Sequence, residues 1–331
     1  MSLYDKILGH EEIIERLKTM AGSGKVSQAY IFCGADGSGK NLLATAYAQT
    51  LLCEHDIAEG CGVCRFCKQV ESGNNPDLTW VQRADGSNGS IGVDVVREQL
   101  VEDIMIKPYN GRRKVYIIDN SENLTVEAQN ALLKTIEEPP EYGVIMLLTN
   151  NLDALLPTII SRCMVLNLKP IREGRIAEYL ISNYHIPDYE AKVCAAFSQG
   201  CLGRAISLVT TNEFAKIRDD VLRLVKNVYT YDISDIIDEI AKVQDYKVTI
   251  CDYIDMMEMW YRDVLLFKVT KDPNALIFRD EIKAIREIAQ KCSYEGVETI
   301  LEGCEKAKQR LRANVNFDLA IKLMILTIKE N

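Results

Sequence analysis

At 331 residues with a formal net charge of −9, the chain is long enough for two or three domains and for a sizeable buried core. No apolar run approaches the ~20 residues that span a membrane, and the opening "MSLYDKILGHEE" has no basic segment followed by an apolar one, so a cytoplasmic protein without a secretion signal is expected. The acidic balance argues against a protein that binds DNA alone, since neutralising phosphates drives that affinity, although a local basic face inside an assembly stays compatible with it.

The first predicted elements form a strand, a glycine loop and a helix. "QAYIFC" (28–33) is a β-rich run, "GADGSGKN" (34–41) follows it, and "NLLATAYAQTLL" (41–52) reads as a helix. This is the context that the phosphate-binding pattern G-x-x-x-x-G-K-[ST] requires. Gly34, Gly39 and Lys40 fit the pattern, and Asn41 stands where it has a hydroxyl. Gly37 and Gly39 would let the backbone approach phosphates closely, the helix start adds positive potential, and Lys40 would reach the β- and γ-phosphates. A plain glycine turn before a helix is the alternative.

Immediately beyond, "CEHDIAEGCGVCRFC" carries Cys53, Cys61, Cys64 and Cys67 at the spacing C-x7-C-x2-C-x2-C. Four thiolates at short intervals suit tetrahedral Zn²⁺ in a closed, structural site. A dithiol redox switch fits two overlapping C-x-x-C units less well, and His55 is an alternative ligand to Cys53. The other seven of the eleven cysteines read as small core residues, because a disulfide framework does not suit a reducing compartment.

Further apolar runs follow at "DLTWVQ" (77–82), "KVYIID" (114–119), "GVIMLL" (143–148) and "CMVLNL" (163–168), most of them separated by helical patterns. Such alternation predicts a parallel sheet with helices on both faces. "KVYIIDNSEN" is a strand ending in Asp119, the place of an acid that holds magnesium together with the loop hydroxyl. Asn120 follows where a glutamate would activate water, and Glu122 is two residues too far on. Two parts of an ATPase site are thus changed, which favours binding without efficient turnover, or an empty loop. ATP or ADP with Mg²⁺ is left open as a ligand.

Composition changes at Pro170, and only helix-period patterns follow. One helical stretch ends near "SQGCLGRAISLV", and 213–331 reads as all-helical. In "VETILEGCEKAKQRL" the residues Val297, Ile300, Leu301, Cys304 and Leu311 share a face. Lys306, Lys308, Arg310 and Arg312 read as a solvated charge run. "LAIKLMILTI" (319–328) is apolar nearly all round, either as a core helix or as one at a subunit interface.

With these strings in place the chain resembles the bacterial clamp-loader subunits of the AAA+ class, components of the DNA polymerase III holoenzyme. The likeness runs from "ILGHEEIIERLK" and "SQAYIFCGADGSGK" through "NALLKTIEEPPE" (130–141), "LLPTIISRC" (155–163) and "GCLGRA" (200–205) to "LRANVNFDLAIKLMILTI" (311–328), and the four-cysteine insertion belongs to it. It implies an AAA+ P-loop domain with an inserted zinc module (1–167, module 53–67), a helical lid domain (168–212) and an all-helical collar domain for oligomerisation (213–331). Motor subunits of gamma and tau type keep a loop ending in Ser/Thr and a D-E pair. Asn41, Asn120 and the absence of a tau-like extension after the collar point instead to the delta-prime type, which is commonly a poor ATPase.

The resemblance makes Arg162, in "SRC", an arginine finger given in trans to the γ-phosphate held by a neighbouring motor subunit. A guanidinium spreads charge over phosphoryl oxygens as they gain negative charge, and giving one does not require a working site in the donor. The resemblance also places Asn150 as first sensor and Arg204 in the second-sensor segment; a turn asparagine is the alternative for Asn150. It implies gamma/tau and delta subunits, the sliding clamp and primed DNA as partners, with no membrane. Arg97 and Lys107 flank a helix that would face the DNA channel, or are ordinary surface charges. A motor-type ATPase tolerating Asn41, and a zinc-containing AAA+ adaptor outside replication, are the alternative functions.

Overall fold

The structure, a computed structural model, describes residues 2–55, 58–82, 89–109, 112–247, 249–313 and 315–331. The chain divides into two compact units, Met1–Ile171 with Gly200–Arg204, and Arg172–Gln199 with Ala205–Asn331.

In the first unit the elements run α1 (Glu11–Gly22), β1 (Ala29–Cys33), α2 (Lys40–Leu52), α3 (Arg65–Glu71), β2 (Leu78–Val81), α4 (Val93–Val96), β3 (Lys114–Ile118), α5 (Val126–Glu137), β4 (Gly143–Thr149), α6 (Pro157–Ile160) and β5 (Met164–Asn167). The five strands form one parallel sheet in the order β2-β3-β4-β1-β5, with Ala29 opposite Ile145 and Lys114 opposite Gly143. The predicted α/β architecture is therefore present.

Strand side chains alternate between two buried clusters, as a period of two requires. Tyr30, Phe32, Val115, Ile117, Val144, Met146 and Leu148 face α1 and α2. Ala29, Ile31, Tyr116, Ile118, Ile145 and Leu147 face α4, α5 and α6. With both faces covered, the strands read as continuous apolar runs. Parallel strands put all their C-terminal ends on one edge, and the glycine loop, Asp119 and Asn150 follow β1, β3 and β4 there, where ligands of open α/β sheets bind.

The second unit is helical: α7 (Glu173–Tyr184), α8 (Asp188–Phe197), α9 (Leu202–Thr210, whose start belongs to the first unit), α10 (Asn212–Asn227), α11 (Ile233–Val243), α12 (Ile250–Thr270), α13 (Ile282–Lys291), α14 (Tyr294–Arg312) and α15 (Phe317–Glu330). α7 packs on α8, α12 packs on α10, α13 and α14, and α15 packs on α14 and α11. Val297, Ile300 and Cys304 are buried as their spacing predicts, with Leu301 and Leu311 half-buried. α15 buries Ala320, Ile321, Met324, Ile325 and Ile328 and leaves Leu319 and Leu323 exposed.

The solvated reading fails at Lys308. Its ammonium is buried among Asp255, Glu258 and Glu305, at 3.1, 2.8 and 3.2 Å. Lys306 keeps an exposed pair with Glu302, and the side chain of Arg312 lies outside the described residues. α14 turns Lys308 toward α12, where the carboxylates of Asp255 and Glu258 wait, and nothing local to "EKAKQRL" reveals them. The cysteine reading also needs a correction: Cys194, Cys201, Cys292 and Cys304 are buried, Cys33 and Cys163 half-buried, and Cys251 lies on the surface.

Candidate functional site

The glycine loop turns sharply between β1 and α2. Gly37 and Gly39 have φ of 76° and 95°, the left-handed region that glycine enters without steric cost. The freedom at Gly37 has a second use. The Gly203 N–H donates to the Gly37 carbonyl at 2.8 Å, and a Cβ on Gly37 would sit 2.8 Å from the Arg204 nitrogen. The segment Gly200–Arg204 thus packs directly on the loop and brings Arg204 beside it. His10 adds another contact, its Nε2–H donating to the Ser38 carbonyl at 3.0 Å.

The loop is held largely by its own groups. Lys40 is buried, and its ammonium donates to the carbonyls of Gly34 and Ala35 at 2.6 and 3.1 Å, with Asp36 Oδ1 at 3.5 Å. The Asn41 Nδ2 donates to Asp119 Oδ2 at 2.9 Å. Asn150, after β4, lies with its Nδ2 3.4 Å from Asp36 Oδ2. All of these predicted residues are brought to one corner. The backbone cradle and Lys40 fit a phosphate; at the metal position the Asn41 amide donates to the carboxylate of Asp119, where the loop pattern has a hydroxyl.

Asn120 is also explained by its backbone. It has φ of 48° and ψ of 49° and caps a short turn, Ser121–Asn123, with its N–H on Asp119 Oδ1 at 2.9 Å. Asparagine tolerates this left-handed conformation better than glutamate does. Glu122 sits within that turn.

Arg162 occupies the turn between α6 and β5. Its Nη1 donates to the Thr158 carbonyl and Ser161 Oγ at 2.9 and 3.3 Å, and its Nε pairs with Glu137 Oε1 at 2.9 Å. The side chain is 40% exposed, so the guanidinium is anchored and still open to solvent. Arg97 and Lys107 are exposed, and Lys107 lies in the stretch that bears the exposed Met105, Ile106 and Tyr109.

The cysteine cluster hangs from the other end of the loop helix, since Cys53 caps the C-terminus of α2. The sulfurs of Cys53, Cys61, Cys64 and Cys67 all lie within 4.8 Å of one another. Tetrahedral Zn–S bonds of about 2.3 Å put sulfurs roughly 3.8 Å apart, and Cys61 Sγ to Cys67 Sγ is 3.9 Å. Backbone N–H groups of Cys61, Cys64 and Cys67 donate to the sulfurs of Cys53, Cys61 and Cys64, which favours thiolates. Burial pushes the Cys67 thiol upward, so a bound cation is what would draw it to thiolate. The donor set fits a metal, and Cys53 completes it while His55 is exposed. Arg112 ties this end down by donating to the carbonyls of Cys53 and Glu54.

Comparison with known proteins shows the family. Family models described as "DNA polymerase III, delta subunit" and "DNA polymerase III, delta subunit, C terminal" match residues 9–172 and 212–330. DNA polymerase III subunit delta' of Bacillus subtilis (strain 168) is 30% identical over 312 residues, 92% of each chain. The chain belongs to the DNA polymerase III clamp-loader family, delta-prime type. Subunits named tau are similar as well. DNA polymerase III subunit tau of Bacillus subtilis (strain 168) is 26% identical over 93% of this chain and 58% of its own length. Subunit tau of Escherichia coli (strain K12) is 34% identical over 61% of this chain and 32% of its own length.

Sequence reasoning singled out the glycine loop, Asp119, Arg162 and the four cysteines, and missed the residues that the structure sets against them. His10, Glu137 and Arg112 act on the site from positions far along the chain. For Glu137 a signal existed: it lies in "KTIEEPPE", one of the strings that carry the family resemblance.

Proposed function

We propose that this clamp-loader subunit hydrolyses little or no ATP itself and supplies Arg162 in trans to a neighbouring motor subunit, within an assembly of gamma/tau and delta subunits that loads the sliding clamp on primed DNA. The supporting observation is the Asn41–Asp119 hydrogen bond, at 2.9 Å, in the place of a metal ligand pair. A site of this kind can keep a nucleotide's phosphates on the loop backbone, while the carboxylate that would help hold the neutralising cation is engaged by an amide donor. Arg162 needs nothing from that corner, and its guanidinium reaches solvent. The lid (168–212) and collar (213–331) belong to this reading, with the collar as the oligomerisation domain, Asn150 and Arg204 as residues lining the chain's own loop, and Arg97 and Lys107 toward DNA. The cysteines Cys53, Cys61, Cys64 and Cys67 hold a structural Zn²⁺, which closes the module at the end of α2 and supplies no open coordination position.

The test is steady-state ATP hydrolysis by the purified chain with Mg²⁺, beside Lys40→Ala, followed by Arg162→Ala in the reconstituted complex. The expected outcome is no Lys40-dependent turnover alone, and a loss of roughly tenfold or more at the partnered site with Arg162→Ala. A Lys40-dependent rate near one turnover per second, ordinary for enzymes, would identify a motor-type ATPase instead.

A further inference from the structure

The guanidinium of Arg162 has three nitrogens, and the chain holds two of them. Nε pairs with Glu137 at 2.9 Å, and Nη1 bonds the Thr158 carbonyl and Ser161 Oγ. Among the described residues Nη2 makes no such contact. A planar fork pinned along one side presents its remaining N–H groups in a fixed direction.

Glu137 is an odd residue for its place if it serves stability alone. It is the last residue of α5, where a carboxylate meets the negative end of the helix dipole and a cation would be favoured. Both partners of the pair are exposed, at 40% and 45%, and an exposed ion pair contributes little to stability. α5 stops at Glu138 before Pro139 and Pro140, which cannot continue the helix, so the carboxylate sits on a defined end and not on a mobile loop. A local rule is broken at a point next to a residue expected to meet a neighbouring subunit's phosphate, and such exceptions gather at functional positions.

We infer that Glu137 is a positioning residue: it holds Nε of Arg162 and so aims Nη2 at the phosphoryl oxygens of a nucleotide carried by the adjoining subunit. This rests on the trans-finger reading of Arg162. The carboxylate does not touch nucleotide, and it acts only through the arginine. The cost of losing it is misalignment, and small displacements of a charge-stabilising group are expensive in rate.

The experiment is a double-mutant cycle in the reconstituted complex with ATP-hydrolysing subunits, comparing Glu137→Ala, Glu137→Gln, Arg162→Ala and Glu137→Ala with Arg162→Ala. Assembly is checked by gel filtration, and kcat is separated from KM for ATP. Glu137→Ala is expected to lower kcat about threefold or more with KM unchanged, because orientation matters in the transition state. Glu137→Gln, whose amide oxygen still accepts the Nε–H, restores most of the rate. On the Arg162→Ala background Glu137→Ala adds no further loss, as coupling through one group requires. Full activity of Glu137→Ala, or a loss of the same size with and without Arg162, overturns the positioning role while leaving the finger intact. Full activity of Arg162→Ala overturns the finger itself and reduces the pair to a surface contact.

Discussion

An amide is bulkier than a hydroxyl, and the two differ in what they offer a cation. The serine or threonine of a working loop gives a compact oxygen; Asn41 gives an N–H that Asp119 accepts at 2.9 Å. The change at position 41 was legible in the chain, but its partner was not, because the pair is separated by 78 residues and meets only when the sheet is assembled. Replacing Asn41 by Ser should free the carboxylate. The expected outcome is a fluorescent nucleotide bound about tenfold more tightly with Mg²⁺ than with EDTA, where the native chain shows no such difference. An Asn41→Ser chain indifferent to Mg²⁺ would mean that the hydrogen bond is not what bars the metal. Turnover is not expected from this change alone, since Asn120 sits in a left-handed conformation that suits asparagine and leaves no general base.

At the scale of elements, the strands were the most legible part, because both faces of a parallel sheet are buried and each strand becomes an unbroken apolar word. The helices of the second unit were legible as periods and not as partners, and Lys308 shows the difference. Asp263 is a second case of a hidden partner. It is buried in α12, and its Oδ2 accepts the N–H groups of Ile277 and Phe278 at 2.7 and 2.8 Å, fixing the connection that leads to α13. Burial raises its carboxyl above the ordinary carboxylate range, and the N–H bonds of Phe278 and Ile277 only partly offset this.

A carboxyl raised on folding binds its proton more tightly in the native chain. Its contribution to stability is therefore full below the unfolded value and lost as pH rises through the folded one. Asp263→Asn keeps an acceptor and removes the titration, so its stability relative to the native chain should rise on going from about pH 4 to pH 7. Urea midpoints at the two pH values check this, and an Asn variant that loses ground on going to pH 7 would refute it. Asp263→Ala leaves two N–H groups without an acceptor and should cost about 2–3 kcal/mol at either pH.

For the whole molecule, the composition and the strings carried the architecture, the family and the four cysteines. They carried little of how distant segments return to the site. α2 is the one element that joins the site's parts, with the loop at its first turn and Cys53 at its last. Metal analysis of the purified chain should find about one zinc per chain, and Cys67→Ser should abolish it. Chelation should lower the melting temperature, because binding energy of a structural metal is folding energy. A chain that melts unchanged after its metal is removed would deny the cluster that role.

The return of Gly200–Arg204 to the glycine loop has a consequence for anyone who would take the molecule apart. Residues 172–199 leave the first unit and the chain then comes back to it, so no single cut yields that unit whole. A fragment ending at 171 lacks the glycine whose N–H meets the Gly37 carbonyl, and one ending at 204 carries two helices torn from the other unit. The two units are interleaved along the chain, so a fragment that keeps the first one whole has to carry part of the second.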